Sequence, residues 1–225
     1  MRKFLFSLTM FLTIGFAGEF ERANYFQGLC NEGDAKACFA LGAMYHIGDD
    51  VGQSFKKAQQ SYLRACELGS AEGCSHLAYM YESGHAGVNL PKAAEYYAKG
   101  CELGDAGGCA SLGKLYENGS GVAEDMQKAV NFYDKACDGR DGKSCAHLGL
   151  LYENDGNDYD ATIYYQKACD AGEADICSNL GIMYLNGKGV KVNEKKAYQL
   201  FQQACALGDE SGCKNYEVLK NANWY

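Results

Sequence analysis

Apolar and small residues recur along this chain at helical spacing, in register with its cysteines. Eight residues before a cysteine stands Ala58, Ala93, Ala129, Ala161 or Ala197. Four before it stands an aromatic ring: Phe26, Tyr62, Tyr97, Tyr133, Tyr165 or Phe201. The residue directly before is usually alanine again (Ala65, Ala136, Ala168, Ala204). These positions share one face of a helix, and small-large-small along that face lets a neighbouring helix approach closely. Two residues before the cysteine, Arg64, Lys99, Lys135 or Lys167 places a cation near the helix C-terminus, where the dipole favours it.

The helix is then predicted to stop. Three residues past the cysteine lies Gly33, Gly69, Gly104, Gly172 or Gly208, able to take positive φ at a C-cap. Asp34, Ser70, Asp105, Asp141, Glu173 or Asp209 follows, and most of these are good N-caps for a second helix. The fourth unit departs here: Arg140 stands in the glycine position, with Gly139 one place earlier.

A second cysteine opens the next helix. Past it, leucine recurs at the third position (Leu41, Leu77, Leu112, Leu148, Leu180) and Gly or Ala at the fourth (Gly42, Ala78, Gly113, Gly149, Gly181). Tyrosine recurs at the seventh (Tyr45, Tyr81, Tyr116, Tyr152, Tyr184), completing a helical stripe. Glycine inside a helix costs ~1 kcal/mol against alanine, so its recurrence implies crowding by the next helix. Glycine-rich loops such as 118–122 and 186–190 close each unit, and the loop after Tyr152 is shorter and acidic.

The cysteine pairs start 36, 35, 36, 32 and 36 residues apart, which marks a repeat array. Arg22 in the first unit, and Tyr216, Glu217 and Lys220 in the last, break the pattern with polar residues, as end units of a solenoid require. The expected fold is all-α, a solenoid of about six helix pairs. One repeat domain is expected over residues 18–225, after a leader over residues 1–17.

That leader is read from Arg2 and Lys3, an apolar run from Phe4 to Phe16 and the small residues Gly15 and Ala17, the pattern of a secretory signal. Secretion or a periplasmic location is expected, with no membrane association once the leader is cut. The formal charge of −8 repels phosphate backbones and argues against nucleic acid as a partner. A single proline and many Ala, Leu, Lys and Glu residues suit helices.

The spans KAVNFYDKACDGRDGKSCAHLGLLYENDG and KAAEYYAKGCELGDAGGCASLGKLYENGSGV resemble Sel1-like repeats, relatives of the tetratricopeptide repeat. The C-x7-C within each unit resembles the Helicobacter cysteine-rich protein family. That resemblance implies an α/α solenoid, secretion, one disulfide per repeat, and an activity attributed to the family: penicillin binding and slow β-lactam hydrolysis on penam and cephem nuclei.

All twelve cysteines fall in six such pairs: Cys30/Cys38, Cys66/Cys74, Cys101/Cys109, Cys137/Cys145, Cys169/Cys177 and Cys205/Cys213. An even count, a fixed spacing and a leader independently favour disulfides. C-x7-C is not a zinc spacing, only four histidines exist, and no C-x-x-C is present, so neither a metal nor a redox-active dithiol is favoured. No cofactor is implied.

Catalytic signal is thin. Ser111-Leu112-Gly113-Lys114 reads Ser-x-x-Lys, as does Ser54-Phe55-Lys56-Lys57, but the companion serine β-lactamase motifs are absent. Ser111 and Lys114 stand as catalytic candidates, against the plainer reading of an ordinary helix surface. A ligand-binding candidate is the row two residues past each second cysteine: Ala40, His76, Ser111, His147, Asn179 and Asn215, with Tyr79 beside it. These positions vary while their neighbours repeat, and are read as lying opposite the core stripe. A polar ladder there would hydrogen-bond a peptide, a peptidoglycan fragment, a β-lactam or a host protein. His46 and His85, isolated in the sequence, receive no functional assignment.

Overall fold

The computed structural model describes residues 21–221; the leader expected over residues 1–17 lies outside them. Among the described residues the chain is helical, with short connections. A first helix, α1, occupies residues 21–31. It is followed by α2 (Ala35–Ile47), α3 (Phe55–Glu67), α4 (Ala71–Ser83), α5 (Leu90–Glu102) and α6 (Ala106–Glu117). Then come α7 (Met126–Asp138), α8 (Gly142–Asn154), α9 (Asp158–Ala171), α10 (Ala174–Asn186), α11 (Glu194–Ala206) and α12 (Glu210–Asn221). Among the described residues no helix is long and apolar enough to cross a membrane.

The expected caps form. Asp34, Ser70 and Asp141 accept backbone N–H groups at the starts of α2, α4 and α8, and Asp105 and Asp209 do so for Gly108 and Gly212. Glu173 has the cap conformation but makes no side-chain bond, its carboxylate sitting one methylene further out. A second row of caps, unremarked in the sequence, starts the odd-numbered helices: Ser54, Asn89, Asp125, Asn157 and Asn193. Ser54 is therefore a cap, its hydroxyl accepting from the backbone N–H of Lys57.

The helix-ending glycines take φ of 89° to 107°, and Arg140 itself adopts φ 68° in the unit that lacks one. Neighbouring Gly139 stays at φ −75° and does not take over the turn.

The chain forms two compact units, the first reaching Gly108 together with Ser120–Ala123, the second comprising Cys109–Gly119 together with Glu124 onward. In the first, Ala58, Tyr62, Leu77 and Met80 form one buried cluster and Cys30, Ala37, Cys38 and Ala65 another. In the second, Ala129, Tyr133, Leu148 and Ala168 form one, and Ala161, Tyr165, Leu180 and Leu200 the next.

The helical glycines are where the crowding falls. A Cβ on Gly42 would stand 2.6 Å from the Tyr62 ring, on Gly113 3.0 Å from Tyr133, and on Gly181 2.7 Å from Phe201. Helices α2, α6 and α10 thus each receive the ring of the odd-numbered helix that follows.

Cys30–Cys38, Cys66–Cys74, Cys137–Cys145, Cys169–Cys177 and Cys205–Cys213 are bonded across Cα separations of 4.4–4.8 Å. Cys101 and Cys109 are disulfide-bonded as well. Twelve oxidised cysteines fit an oxidising, extracytoplasmic compartment.

Candidate functional site

Where the packing ring is a tyrosine it also carries a hydroxyl, and that hydroxyl needs a partner. Helices α4, α6 and α8 supply one from the position eight residues past their cysteine. Tyr97 donates to Glu82, Tyr133 to Glu117 and Tyr165 to Glu153, each over 2.6 Å. Burial, then the carboxylate, raises the Tyr133 and Tyr165 hydroxyls well above the usual phenol range. Each glutamate is thereby held in one place with an oxygen left for a second donor.

In the second unit that second donor is present. The His147 Nε2 lies 3.0 Å from Glu117 Oε1, and the His147 ring stands edge-on to Tyr133 at 4.8 Å. Lys188 reaches Glu153 over 2.5 Å and Asp158 over 3.4 Å, from the glycine-rich loop after α10. That loop lies on the start of α9 so closely that a Cβ on Gly189 would stand 2.1 Å from the Asp158 carbonyl oxygen, and its φ is +70°. Only glycine fits both demands. The Lys188 ammonium, followed by the Tyr165 hydroxyl, holds Glu153 below the usual carboxylate range.

Beside this pair opens a cavity of about 330 Å³, lined by Glu153, Tyr165, Asn179, Ile182, Met183, Asn186 and Lys188. Asn179 and Asn186 lie seven residues apart on one face of α10, both exposed, with Ile182 and Met183 between them. Asn179 was legible as a candidate; Asn186, Glu153 and Lys188 were not, because their roles depend on partners from other helices.

The expected ladder is only partly brought together. His147 and Asn179 each border a Glu–Tyr pair. Asn215 is half-buried on α12, and Ser111 half-buried on α6. Nor do the histidines stand opposite the core stripe. His147 leans on Tyr133, and His76 on Phe39 at 4.9 Å and Tyr62 at 5.3 Å, so both flank the core rings. Lys114 is exposed, and the Leu112-Gly113 between it and Ser111 is the packing pair under Tyr133.

The first unit differs at one residue. His46 stands where α4, α6 and α8 carry glutamate, and it gathers an aromatic patch. Its ring lies 5.6 Å from Phe55, 6.1 Å from Tyr62, 6.3 Å from Tyr79 and 5.3 Å from His85. His85 stacks on Phe55 at 4.2 Å and 5°. Tyr62, without a carboxylate, is pushed up to about 12 by burial. His46 is lowered by burial and then by the nearby His85 and His76. The two histidines left unassigned in the sequence therefore belong, with Tyr79, to one patch. Among the described residues no three of His, Cys, Asp and Glu converge as metal ligands would.

Paired antiparallel helices, a glycine under a ring in successive pairs and disulfides at the junctions define an α/α repeat solenoid. The Sel1 repeat model matches residues 35–70, 71–105, 106–141, 142–173 and 174–209, and the chain belongs to the Sel1 repeat family. Its repeats pair each even-numbered helix with the next odd one, leaving α1 and α12 outside the match; counted by cysteines, the same helices make six pairs.

Among solved structures, the chain is similar to c5321, a protective antigen of uropathogenic Escherichia coli, at 25% identity and a TM-score of 0.67. The match covers 89% of this chain and 52% of that one, so this chain spans about half of the E. coli protein's length. It is also similar to a Sel1 repeat protein from Oxalobacter formigenes, at 22% identity and a TM-score of 0.65, over 90% of this chain and 85% of that one. Helicobacter pylori cysteine rich protein B is 32% identical over 72% of this chain and 94% of its own, with a TM-score of 0.26. Among curated proteins none matches.

Proposed function

We propose that this protein is an exported, disulfide-stapled scaffold that binds an extended peptide along α10. The observation that carries this reading is the pair of exposed amides, Asn179 and Asn186, flanking Ile182 and Met183 over the cavity of about 330 Å³. A primary amide both donates and accepts, which is what a peptide backbone offers in return. Ile182 and Met183 would take an apolar side chain, and the anchored Glu153–Lys188 pair would orient a polar one. Cell-wall peptides and host proteins both present such backbone.

The test is selection from a random peptide display library on the oxidised protein, followed by titration of the selected peptides. Asn179→Ala together with Asn186→Ala should weaken binding by about tenfold or more at an unchanged melting temperature. Failure to select any peptide, or equal binding by the double variant, overturns the proposal. A chromogenic cephalosporin is the control. Turnover that vanishes in Ser111→Ala would replace this reading with the β-lactam hydrolase that the family resemblance implies.

A further inference from the structure

A second ladder of rings runs through the middle repeats; at its two ends Leu200 and Ser61 stand in the ring's place, and only Ser61 leaves that place unfilled by an apolar side chain. In three repeats the tyrosine seven residues past the second cysteine stacks on an aromatic residue of the following helix, five residues before its cysteine; in the last, Tyr184 packs against the cluster that holds buried Leu200 instead. Tyr81 stacks on Tyr96 at 5.9 Å and 8°, Tyr116 on Phe132 at 5.5 Å and 10°, and Tyr152 on Tyr164 at 5.3 Å and 7°. The upper ring reaches back to the previous odd-numbered helix: Tyr164 donates to Asp134 of α7 over 2.9 Å.

In the first family repeat the corresponding residue of α3 is Ser61. Tyr45 therefore has no ring to stack on, and a cavity of about 530 Å³ opens between it, Ser61 and α1. Gln27, which occupies in α1 the position of Asp134 in α7, lines it. The void thus sits where three other repeats hold a ring and a fourth holds buried Leu200. Its charged lining is of one sign. Lys57 lies over the Tyr45 ring at 4.9 Å, and Arg64 borders the same space. The Arg64 contact with Glu67, 3.4 Å between two half-exposed side chains, holds it only weakly. In a chain of net charge −8, this is a local concentration of positive charge beside a half-buried aromatic ring.

We propose that this slot binds a planar aromatic ring bearing an anionic group, the ring replacing the missing rung on Tyr45 and the anion meeting Lys57 and Arg64. Offset stacking on tyrosine and a charge-assisted bond to lysine or arginine are the two interactions the slot offers; the chain supplies no ring for the first and only the weak Arg64–Glu67 contact for the second. The chemistry is shared by free aromatic acids and by peptides ending in an aromatic residue.

The probes are 3-phenylpropionate, its primary amide, and a tetrapeptide ending in phenylalanine with a free carboxylate, followed by ligand-observed NMR on the oxidised protein. The acid should bind saturably and the amide about tenfold more weakly. Ser61→Tyr supplies the ring that three other repeats hold and should abolish binding. Lys57→Gln with Arg64→Gln, both at exposed positions, should weaken it similarly without altering the melting temperature. The peptide binding more tightly than the acid assigns the slot to chain ends; equal binding assigns it to ring and charge alone. Absence of saturable binding by either acid, or binding unchanged in both Ser61→Tyr and the Lys57/Arg64 variant, overturns the proposal.

Discussion

The ring of Tyr165 lies on Gly149 so closely that a Cβ there would stand 2.5 Å from both Cδ1 and Cε1 of the ring. Tyr165 cannot swing aside without giving up its bond to Glu153. Gly149→Ala should therefore destabilise the protein by about 1–3 kcal/mol, although alanine is the better helix former. Gly28, in α1, has open space around it, and Gly28→Ala should stabilise by roughly 0.5–1 kcal/mol. Thermal melts of the two variants, moving in opposite directions, check this.

Arg140 holds a left-handed backbone conformation in the one junction without a glycine. A side chain in that conformation costs roughly 1–2 kcal/mol. Arg140→Gly should raise stability by about 1 kcal/mol after the extra entropy of an unfolded glycine is subtracted. Urea unfolding at unchanged m-value is the measurement.

His46 is held below its usual 6.5 by burial and by His85 and His76. Its folded form takes a proton less readily than its unfolded form. The stability it confers is fully present above about pH 6.5 and declines as pH falls from there to the lower folded pKa, below which the loss is complete. His46→Phe, which keeps a ring beside Phe55 and Tyr62, should lessen the fall in melting temperature between about pH 7 and pH 5. An unchanged slope would remove His46 from the acid response.

Each C-x7-C bridge closes a nine-residue loop. Replacing Cys169 and Cys177 together by alanine should cost about 2.5 kcal/mol, the loop entropy returned to the unfolded chain. Mass spectrometry of the exported, unreduced protein should read twelve hydrogens fewer than the reduced form, one for each cysteine.

The elements were legible in the chain because their causes are local. Caps, helix-ending glycines and apolar stripes act over fewer than about eight residues, and Asp34, Gly33 and Leu41 do what their spacing implies. Even the crowding at Gly42 and Gly149 could be inferred, since a repeated glycine inside a helix needs a neighbour to justify it. Partners from other helices could not. Nothing in the spacing announced that Tyr165 donates to Glu153, that His46, His76 and His85 share one aromatic patch, or that Ser61 leaves Tyr45 without a ring. By itself the sequence determined the helices, their ends and their staples, because hydrogen bonding and periodicity are decided within a helix or at its junction. Only the tertiary structure decided which side chains meet, because that depends on how packed helices rotate against one another, over separations that local spacing does not record.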